Sequence, residues 1–590
     1  MIGGEAEWDF TTKDTKGTKE IVHADFHPIS SPFFFVPFAV QIESLPCDGK
    51  YLRHPGLPGI SFMTSAMIRS LLLLHFCAVL AGAADFDLLI QNARIADGTG
   101  APLMNGSVAV KDRRIVQVGA VSGTATVTLD AHGQIVAPGF IDVHTHSEKI
   151  AENPVAENFL RMGVTTIVTG NCGGSRTDVA KFFAEVEKAK VAIHVATLIG
   201  HNSVREQAMG GSFLGAPNAE EMEKMKAIVD QAMKDGAVGL STGLIYVPGS
   251  FAETGEIIEL AKVAAKHDGI YASHMRAETV KIFGALEELV RIAREAKIRA
   301  EVSHLKLTGP SAWGMTAQVL VLLDKARADG LAITHDEYVY TASSTGLAQL
   351  IPDKARAGKR ADFVARIADP SQKAAIVAEM KQMRERLGRT DYGYAVIARF
   401  TADPTLNGKT IPEAAKIKRG SNSIEDQIEL IFDIEKQGGG SAIYHGMDEK
   451  DVQAFLRHPL TMIASDGGPR KFGEDVPHPR SYGNNARALG RYVRELKVLV
   501  IEDAVRRMTS LPAQTFHLAD RGVLKPGAWA DIVIFDPDKV NDPSTFTDPH
   551  HYAEGFSNVI VNGETVIRDG TLTAARPGGP LRMSTRTPER

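Results

Sequence analysis

The chain has 590 residues, enough for several domains or for one large barrel with attachments. Its hydrophobic share of 44% and charged share of 23% are those of an ordinary globular protein. The net charge of -5 is mild and makes no case for nucleic acid or an anionic membrane surface as a partner. A Walker-type phosphate loop and a fixed-period repeat are both missing.

Residues 1–62 carry no sustained helical or strand period. Then comes Met67-Ile-Arg-Ser-Leu-Leu-Leu-Leu-His-Phe-Cys-Ala-Val-Leu-Ala-Gly-Ala-Ala84. A positive start at Arg69, an apolar run of about ten residues and small residues at Ala81 and Ala83 form a signal-peptide layout over 67–83, with cleavage expected after Ala83. The run is too short to span a bilayer comfortably, so the mature chain is expected to have no membrane span. A buried helix or an uncleaved anchor is the other reading. A signal beginning at residue 67 predicts that translation starts at Met67 or Met63 and that 1–66 is a non-native extension. Export, periplasmic or secreted, follows if the signal is used, and a cytoplasmic protein if it is not. Of the three cysteines, Cys47 and Cys77 would then be lost. Cys172 would remain without a disulfide partner, as a packed thiol, a nucleophile or a metal ligand.

From Asp85 the chain reads as short strands, over 86–90, 93–96, 106–110 and 114–118, with turn residues between. The far end reads alike, over 527–536 and 558–566, with a turn at Asn562-Gly563. A small β-domain built from both ends, 84–136 plus 515–582, is predicted. The middle alternates. Strands are predicted at 137–146, 165–169, 191–199, 239–241, 269–274, 300–304, 331–336 and 461–466. Helices are expected between them, at 220–235, 256–266 and 279–296 among others, from apolar residues spaced by three and four. Eight β/α units predict an α/β fold of TIM type, a (β/α)8 barrel over 137–514. An open doubly wound sheet is the runner-up, but no glycine fingerprint follows the first strand.

An insertion at about 340–445 interrupts the last unit. It holds one helix with Asp369 as cap, Pro370 in the first turn, Ile376, Met380, Met383 and Leu387 on one face, and Gly388 as stop. A second starts at Ser423 and carries Ile424, Ile428 and Ile431. Such an insertion beside a barrel mouth suits a lid or substrate wall, with an oligomer contact as the plain alternative.

Barrel chemistry sits at the C-terminal ends of the strands. Strand one ends in Ala137-Pro-Gly-Phe-Ile-Asp-Val-His-Thr-His146, and residues i and i+2 of a strand share a side, so His144 and His146 present two imidazoles together. The next tips carry Asn171-Cys172-Gly173, His201-Asn202 and Tyr246. They are followed by His274 with Arg276, His304 with Lys306, Asp336 with Tyr338, and Asp466 before Gly467-Gly468. Each alone has a plain explanation: a hydrogen-bonded histidine, a buried inert thiol, a turn aspartate. Together, four histidines, a cysteine and an aspartate at the tips of one barrel converge on a point. Imidazole and thiolate suit Zn²⁺, which lowers the pKa of a water and polarises a carbonyl. A thiolate on strand two can bridge two metal positions, and Asp466 is the carboxylate placed to move the proton. The competing reading makes Cys172 a covalent nucleophile with a histidine base.

These motifs, with Gly170-Asn-Cys-Gly173, Gly239-Leu-Ser-Thr-Gly-Leu-Ile-Tyr-Val-Pro-Gly249, Ser273-His-Met-Arg276, Ser303-His-Leu-Lys306, Ala464-Ser-Asp-Gly467 and His478-Pro-Arg480, resemble the amidohydrolase superfamily. Within it they resemble the D-aminoacylase (N-acyl-D-amino-acid deacylase) family, over residues 85–582. The resemblance implies a small-molecule N-acyl-D-amino acid as substrate. It implies Cys172, His274 and His304 as ligands of a tight zinc, and His144, His146, Cys172 and Asp466 around a second, weaker metal. It also implies Tyr246, Arg276, Lys306, Tyr338, Ser344 and Arg480 as substrate contacts, with Met447 in the side-chain pocket. No lysine stands at the fourth strand end, where many superfamily relatives carry a bridging one, and Cys172 is similar to this family's substitute. Asn484-Asn485-Ala486 and the export signal depart from the family pattern. A cyclic-amide hydrolase, a dipeptidase of the same superfamily and a non-catalytic barrel scaffold are the alternatives.

Overall fold

The computed structural model describes residues 84–212 and 214–583. The segments read as an upstream extension and an export signal, with Cys47 and Cys77, lie outside the described residues.

Both ends of the described chain meet in one nine-stranded sheet. Phe86–Ile95, Met104–Lys111, Arg114–Gly119, Ala125–Asp130 and Ile135–Pro138 come from the front. Ile532–Phe535, Phe556–Val561, Glu564–Arg568 and Thr571–Leu572 come from the back. Ile532–Phe535 joins the halves by pairing antiparallel with Ile135–Pro138. Alternate apolar residues such as Leu88, Ile90, Val108, Ile115, Ile532 and Ile534 pack one core. The first two predicted strands are a single strand with a bulge between Ile90 and Ala93. Asn92, at φ 54°, takes the left-handed turn there, and its amide donates to Asp130 at 2.9 Å. The predicted opening strand 137–146 is divided differently. Ala137 and Pro138 belong to the small sheet, and a new strand begins at Phe140. Gly139 permits the break, because a Cβ there would fall 2.3 Å from Thr165 Oγ1.

Eight parallel strands follow in chain order. They are Phe140–Asp142, Val164–Thr169, His194–Thr197 continued by Ile199–Gly200, Gly239–Gly243, Ile270–His274, Arg299–Val302, Ile333–Glu337 and Thr461–Ile463. The first three pair in one sheet, and Ile199–Gly200 opens a six-stranded sheet that runs in sequence to Thr461–Ile463. Just past the first and eighth strands, Thr145 and Gly467 make a further parallel bridge, with the His146 amide donating to Gly467 O at 2.7 Å. Ile141, Val143, Val168, Ala196, Ile270, Ala272, Met462 and Ala464 form one buried cluster, the period of two expected of strand faces.

The connecting helices bury one face each. Ile282–Ala296 turns Leu286, Leu289, Val290 and Ala293 inward at three- and four-residue spacing. Each buried leucine stabilises the packing by about 1.5–3 kcal/mol. Ala219–Lys234 begins in a capping box between Asn218 and Glu221.

The insertion has a core of its own, built from Leu347, Met380, Ile397, Ile431 and Phe432 among others. Pro370–Arg386 is capped by Asp369, whose carboxylate accepts from Gln372 N, and it stops at Gly388 with φ 72°. Ile424–Lys436 is capped by Ser423. These helices pack beside an antiparallel sheet of Ser343–Gly346, Ser441–Tyr444 and Ala395–Arg399, which sequence reading missed. Among the described residues no helix is long and apolar enough to cross a membrane.

Close backbone approach leaves no room for a side chain at Gly243. A Cβ on Gly243 would lie 2.1 Å from Cys172 O and 2.7 Å from Tyr246 Cδ2. Gly243→Ala is expected to lower the denaturation midpoint by an equivalent of about 1–3 kcal/mol. Gly255→Ala, in the first turn of Thr254–Lys266 with open space around it, is expected to leave it unchanged or raise it by about 0.5–1 kcal/mol. Chemical denaturation of both variants checks the contrast.

Candidate metal centre and active site

The strand tips hold the polar residues that the apolar strand bodies exclude. Cys172 is central. Its Sγ lies 3.3 Å from His144 Nε2, 3.5 Å from His274 Nδ1 and 3.5 Å from His304 Nε2. The His144 and His304 rings are 4.7 Å apart, and those of His274 and His304 are 4.3 Å apart. His146 reaches the same region more openly, with Nε2 3.1 Å from Asp466 Oδ1 and 43% of its side chain exposed. Burial alone raises the Cys172 thiol, but the charges of His144 and His304 and hydrogen bonds from His144 and His146 outweigh it. The sulfur is held well below its ordinary pKa, as a thiolate.

Three of these tips bend into the left-handed region: Cys172 at φ 53°, His304 at 39° and Asp466 at 50°. Such strain costs of order 1–3 kcal/mol per residue and persists only where the surroundings enforce it. Here hydrogen bonds do so. Asn171 Nδ2 donates to Val143 O and Val168 O, each at 3.1 Å, beside Cys172. Asp336 Oδ1 accepts from His304 N at 3.1 Å. Asp142 Oδ1 accepts from His144 N at 3.2 Å and Ser465 N at 3.0 Å, clasping the first and eighth tips.

Carboxylates orient the imidazoles. Asp336 Oδ2 is 3.2 Å from His144 Nδ1, and Glu278 Oε1 is 3.3 Å from His304 Nδ1 and 3.6 Å from His274 Nε2. Burial would raise the Glu278 carboxyl, yet Lys306 and His274 hold it below its ordinary range. Glu278 and the buried Asp142 were missed at the sequence level, and Asp336 was noted only as a tip. Glu278 follows His274 in a loop where no periodicity marks it.

The remaining predicted residues fall into two groups. Tyr246, Lys306 and Ser344 line a cavity together with His274, Glu278, His304 and Asp466. Tyr246 Oη accepts from Thr345 Oγ1 at 3.2 Å. Lys306 Nζ donates to Glu278 Oε1 at 2.6 Å, His304 Nδ1 at 2.8 Å and His304 O at 3.0 Å. Arg480, Tyr338 and Met447 do not line that cavity. Arg480 Nη1 lies 2.8 Å from Asp466 Oδ2, as an ion pair without hydrogen-bond alignment, and Nη2 donates to Ser344 O at 3.3 Å. Burial raises Asp466, but Arg480 and then His144 outweigh it and hold the carboxyl well below its usual range. Tyr338 is packed under the Arg480 guanidinium, 4.5 Å from its ring centroid, and its hydroxyl is turned to Met447 Sδ at 3.7 Å. His478 fixes Arg480 by accepting from its backbone amide at 3.0 Å.

Arg276 is turned to partners outside the residues that line the cavity. Its guanidinium is spent on both Glu288 oxygens, at 3.0 and 2.9 Å, and on Ser250 O and Ala252 O. It braces a loop and does not reach the cavity, because Glu288 on the following helix neutralises it first. His201 is likewise structural, 2.8 Å from Glu256.

The donors present fit a divalent metal. Their ligand atoms form three overlapping clusters within 4.8 Å: His144, Cys172 and His304; His144, His146 and Asp466; His274, Glu278 and His304. His274 Nε2 is buried without a hydrogen-bond partner among the described residues. A sulfur among imidazole nitrogens is a borderline-soft donor set, suited to a metal of the zinc type.

Comparison with known proteins places the chain in a family. Residues 127–567 match the model of the amidohydrolase family. The chain is 35% identical to N-acyl-D-glutamate deacylase of Alcaligenes xylosoxydans xylosoxydans over 520 residues, covering 84% of this chain and 96% of that one. A crystal structure of N-acyl-D-glutamate deacylase from Bordetella bronchiseptica, complexed with zinc and a phosphonate mimic of the tetrahedral intermediate, is similar with a TM-score of 0.72. It shares 35% identity, over 84% of this chain and 99% of that one. A D-aminoacylase structure with a binuclear metal centre is similar with a TM-score of 0.71 at 32% identity, over 84% and 99%. On sequence, fold and site together, the chain belongs to the amidohydrolase family.

Proposed function

We propose that this protein is a zinc-dependent hydrolase that cleaves the amide bond of N-acyl-D-amino acids, giving a carboxylate and a free D-amino acid. The observation that carries the reading is the convergence of one thiolate, four imidazoles and the Asp466–Arg480 pair beside one cavity. The similarity to N-acyl-D-glutamate deacylase and D-aminoacylase supports the substrate class. We read the eight parallel strands as one closed (β/α)8 barrel. The Thr145–Gly467 bridge and the similarity to the solved deacylases support closure.

In this reading Cys172, His274 and His304 would hold a tight metal, and His144, His146 and Asp466, with Cys172, would hold a weaker second one. A bound zinc supplies Lewis acidity, polarising the acyl carbonyl and lowering the pKa of a water. Asp336 and Glu278 keep the His144 and His304 rings aimed, as carboxylates behind metal-binding imidazoles do. Asp466, ionised beside Arg480, takes the proton of the attacking water and delivers it to the leaving nitrogen. Lys306 and Arg480 supply positive charge for the substrate α-carboxylate, and Tyr246 and Ser344 flank it. Tyr338 and Met447 act from behind, Tyr338 by stacking on Arg480. We also propose that 67–83 directs export, a reading supported by the layout of charge, apolar run and small residues alone.

Three outcomes are expected. A panel of N-acetyl D- and L-amino acids, run on chelated and then zinc-restored enzyme, should show hydrolysis of D substrates only, lost on chelation and regained with zinc. Preference for L substrates, or indifference to chelators, overturns the reading. Asp466→Asn should retain the tight metal, measured by elemental analysis, while kcat falls by about 10²–10⁴-fold. A near-normal rate removes its proton role. N-terminal sequencing of protein recovered outside the cytoplasm should begin at Ala84, and a start at Met1 refutes the export signal.

A further inference from the structure

Three cations bear on the cavity or its wall, and two have a carboxylate of the protein beside them. Lys306 is paired with Glu278 at 2.6 Å, and Arg480 with Asp466 at 2.8 Å. Arg389 is the third. It lines the same cavity from the insertion, yet among the described residues no carboxylate lies within ion-pair distance of its guanidinium. Its contacts are of another kind. Nη2 donates to His445 O at 2.7 Å, and the guanidinium lies 5.1 Å from the Tyr394 ring centroid and 5.9 Å from that of Trp313. Those contacts hold the guanidinium in place without cancelling its charge.

The backbone places it deliberately. Gly388, at φ 72°, turns the chain off the end of Pro370–Arg386, and Arg389 N then donates to Arg384 O at 3.2 Å. His274, His304 and Asp466 line the cavity from the strand tips, and Leu350, Leu387, Arg389, Tyr394 and Tyr444 line it from the insertion. Apolar side chains there offer no fork for an anion, while a guanidinium does, through paired N–H donors.

We propose that Arg389 recognises a second carboxylate on the substrate, so that the preferred substrates are dicarboxylic N-acyl-D-amino acids. The inference rests on the deacylase reading above. The second carboxylate has two possible sources of the same chemistry, the side chain of an acidic D-amino acid or a dicarboxylic acyl group. Its recognition adds to that of the α-carboxylate and leaves the bond cleaved unchanged.

Two substrate pairs test it, each differing by one carboxylate: N-acetyl-D-glutamate against N-acetyl-D-glutamine, and N-succinyl-D-leucine against N-acetyl-D-leucine. In the zinc-loaded wild type, kcat/KM for the carboxylate-bearing member of one pair should exceed that of its partner by about tenfold or more, chiefly through KM. The pair that shows the ratio identifies the source. In Arg389→Met that ratio should fall toward one, and Arg389→Lys, which keeps a point charge but loses the fork, should restore part of it. A wild-type ratio near one in both pairs overturns the proposal, whatever the variants do. So does a ratio that persists in Arg389→Met, since that assigns Arg389 to bracing the insertion. Hydrolysis of N-acetyl-D-leucine without discrimination refutes this inference alone, whereas no turnover of any of the four refutes the deacylase reading with it.

Discussion

The site depends on one buried negative charge, the sulfur of Cys172. An anion removed from water is costly unless it is surrounded by compensating groups, and removing one partner of such a cluster destabilises it by several kcal/mol. Here the compensation is three imidazole nitrogens within 3.5 Å, drawn from three different strand tips. The strands must therefore end at matched heights, and the chain accepts left-handed backbone at Cys172, His304 and Asp466 to bring the side chains in. The glycines follow from the same demand. A side chain on Gly173 or Gly243 would collide with Asn202 or with the Cys172 carbonyl. The same sulfur and imidazoles that satisfy one another are the donors a metal would take over, so stabilisation and metal chemistry share their atoms.

Scaffold and selectivity are carried by separate packing units. The parallel strands and their helices share one apolar core, while the insertion has another, centred on Leu347, Met380, Ile431 and Phe432. Side chains from both line the cavity. Strand tips supply His274, His304 and Asp466, and the insertion supplies Leu387, Arg389, Tyr394 and Tyr444. A wall with its own core can change its lining without disturbing the metal donors, which is how one fold serves related substrates.

Much of this was legible in the sequence because it rests on local rules. The eight strands are short apolar runs with polar ends, and the Asp369 and Ser423 caps carry their own signatures. The convergence of His144, Cys172, His274, His304 and Asp466 followed from strand order alone. What escaped is set by tertiary contact. Glu278, Asp142 and the clasp between strand tips become visible only when distant segments meet. Arg276 sits in a motif beside His274, but its partner Glu288 lies well inside the next helix, and that pairing is invisible in the motif itself. The insertion's small sheet escaped because its strands, four or five residues each, are flanked by stronger helical patterns.

The sheet shared by both ends has a consequence for how the protein is made. Ile135–Pro138 leads, through Gly139, straight into the strand that delivers His144, and its partner Ile532–Phe535 is separated from it by nearly the whole catalytic chain. On the ribosome Ile135–Pro138 finds Phe86–Ile95 beside it early, but its other neighbour comes only when almost everything else has emerged. The support of His144 and His146, just downstream, is completed late, and closing so long a loop is slow. The protein cannot assemble its site piecemeal from the N-terminus. It is completed in one late step, when the tail returns to the beginning.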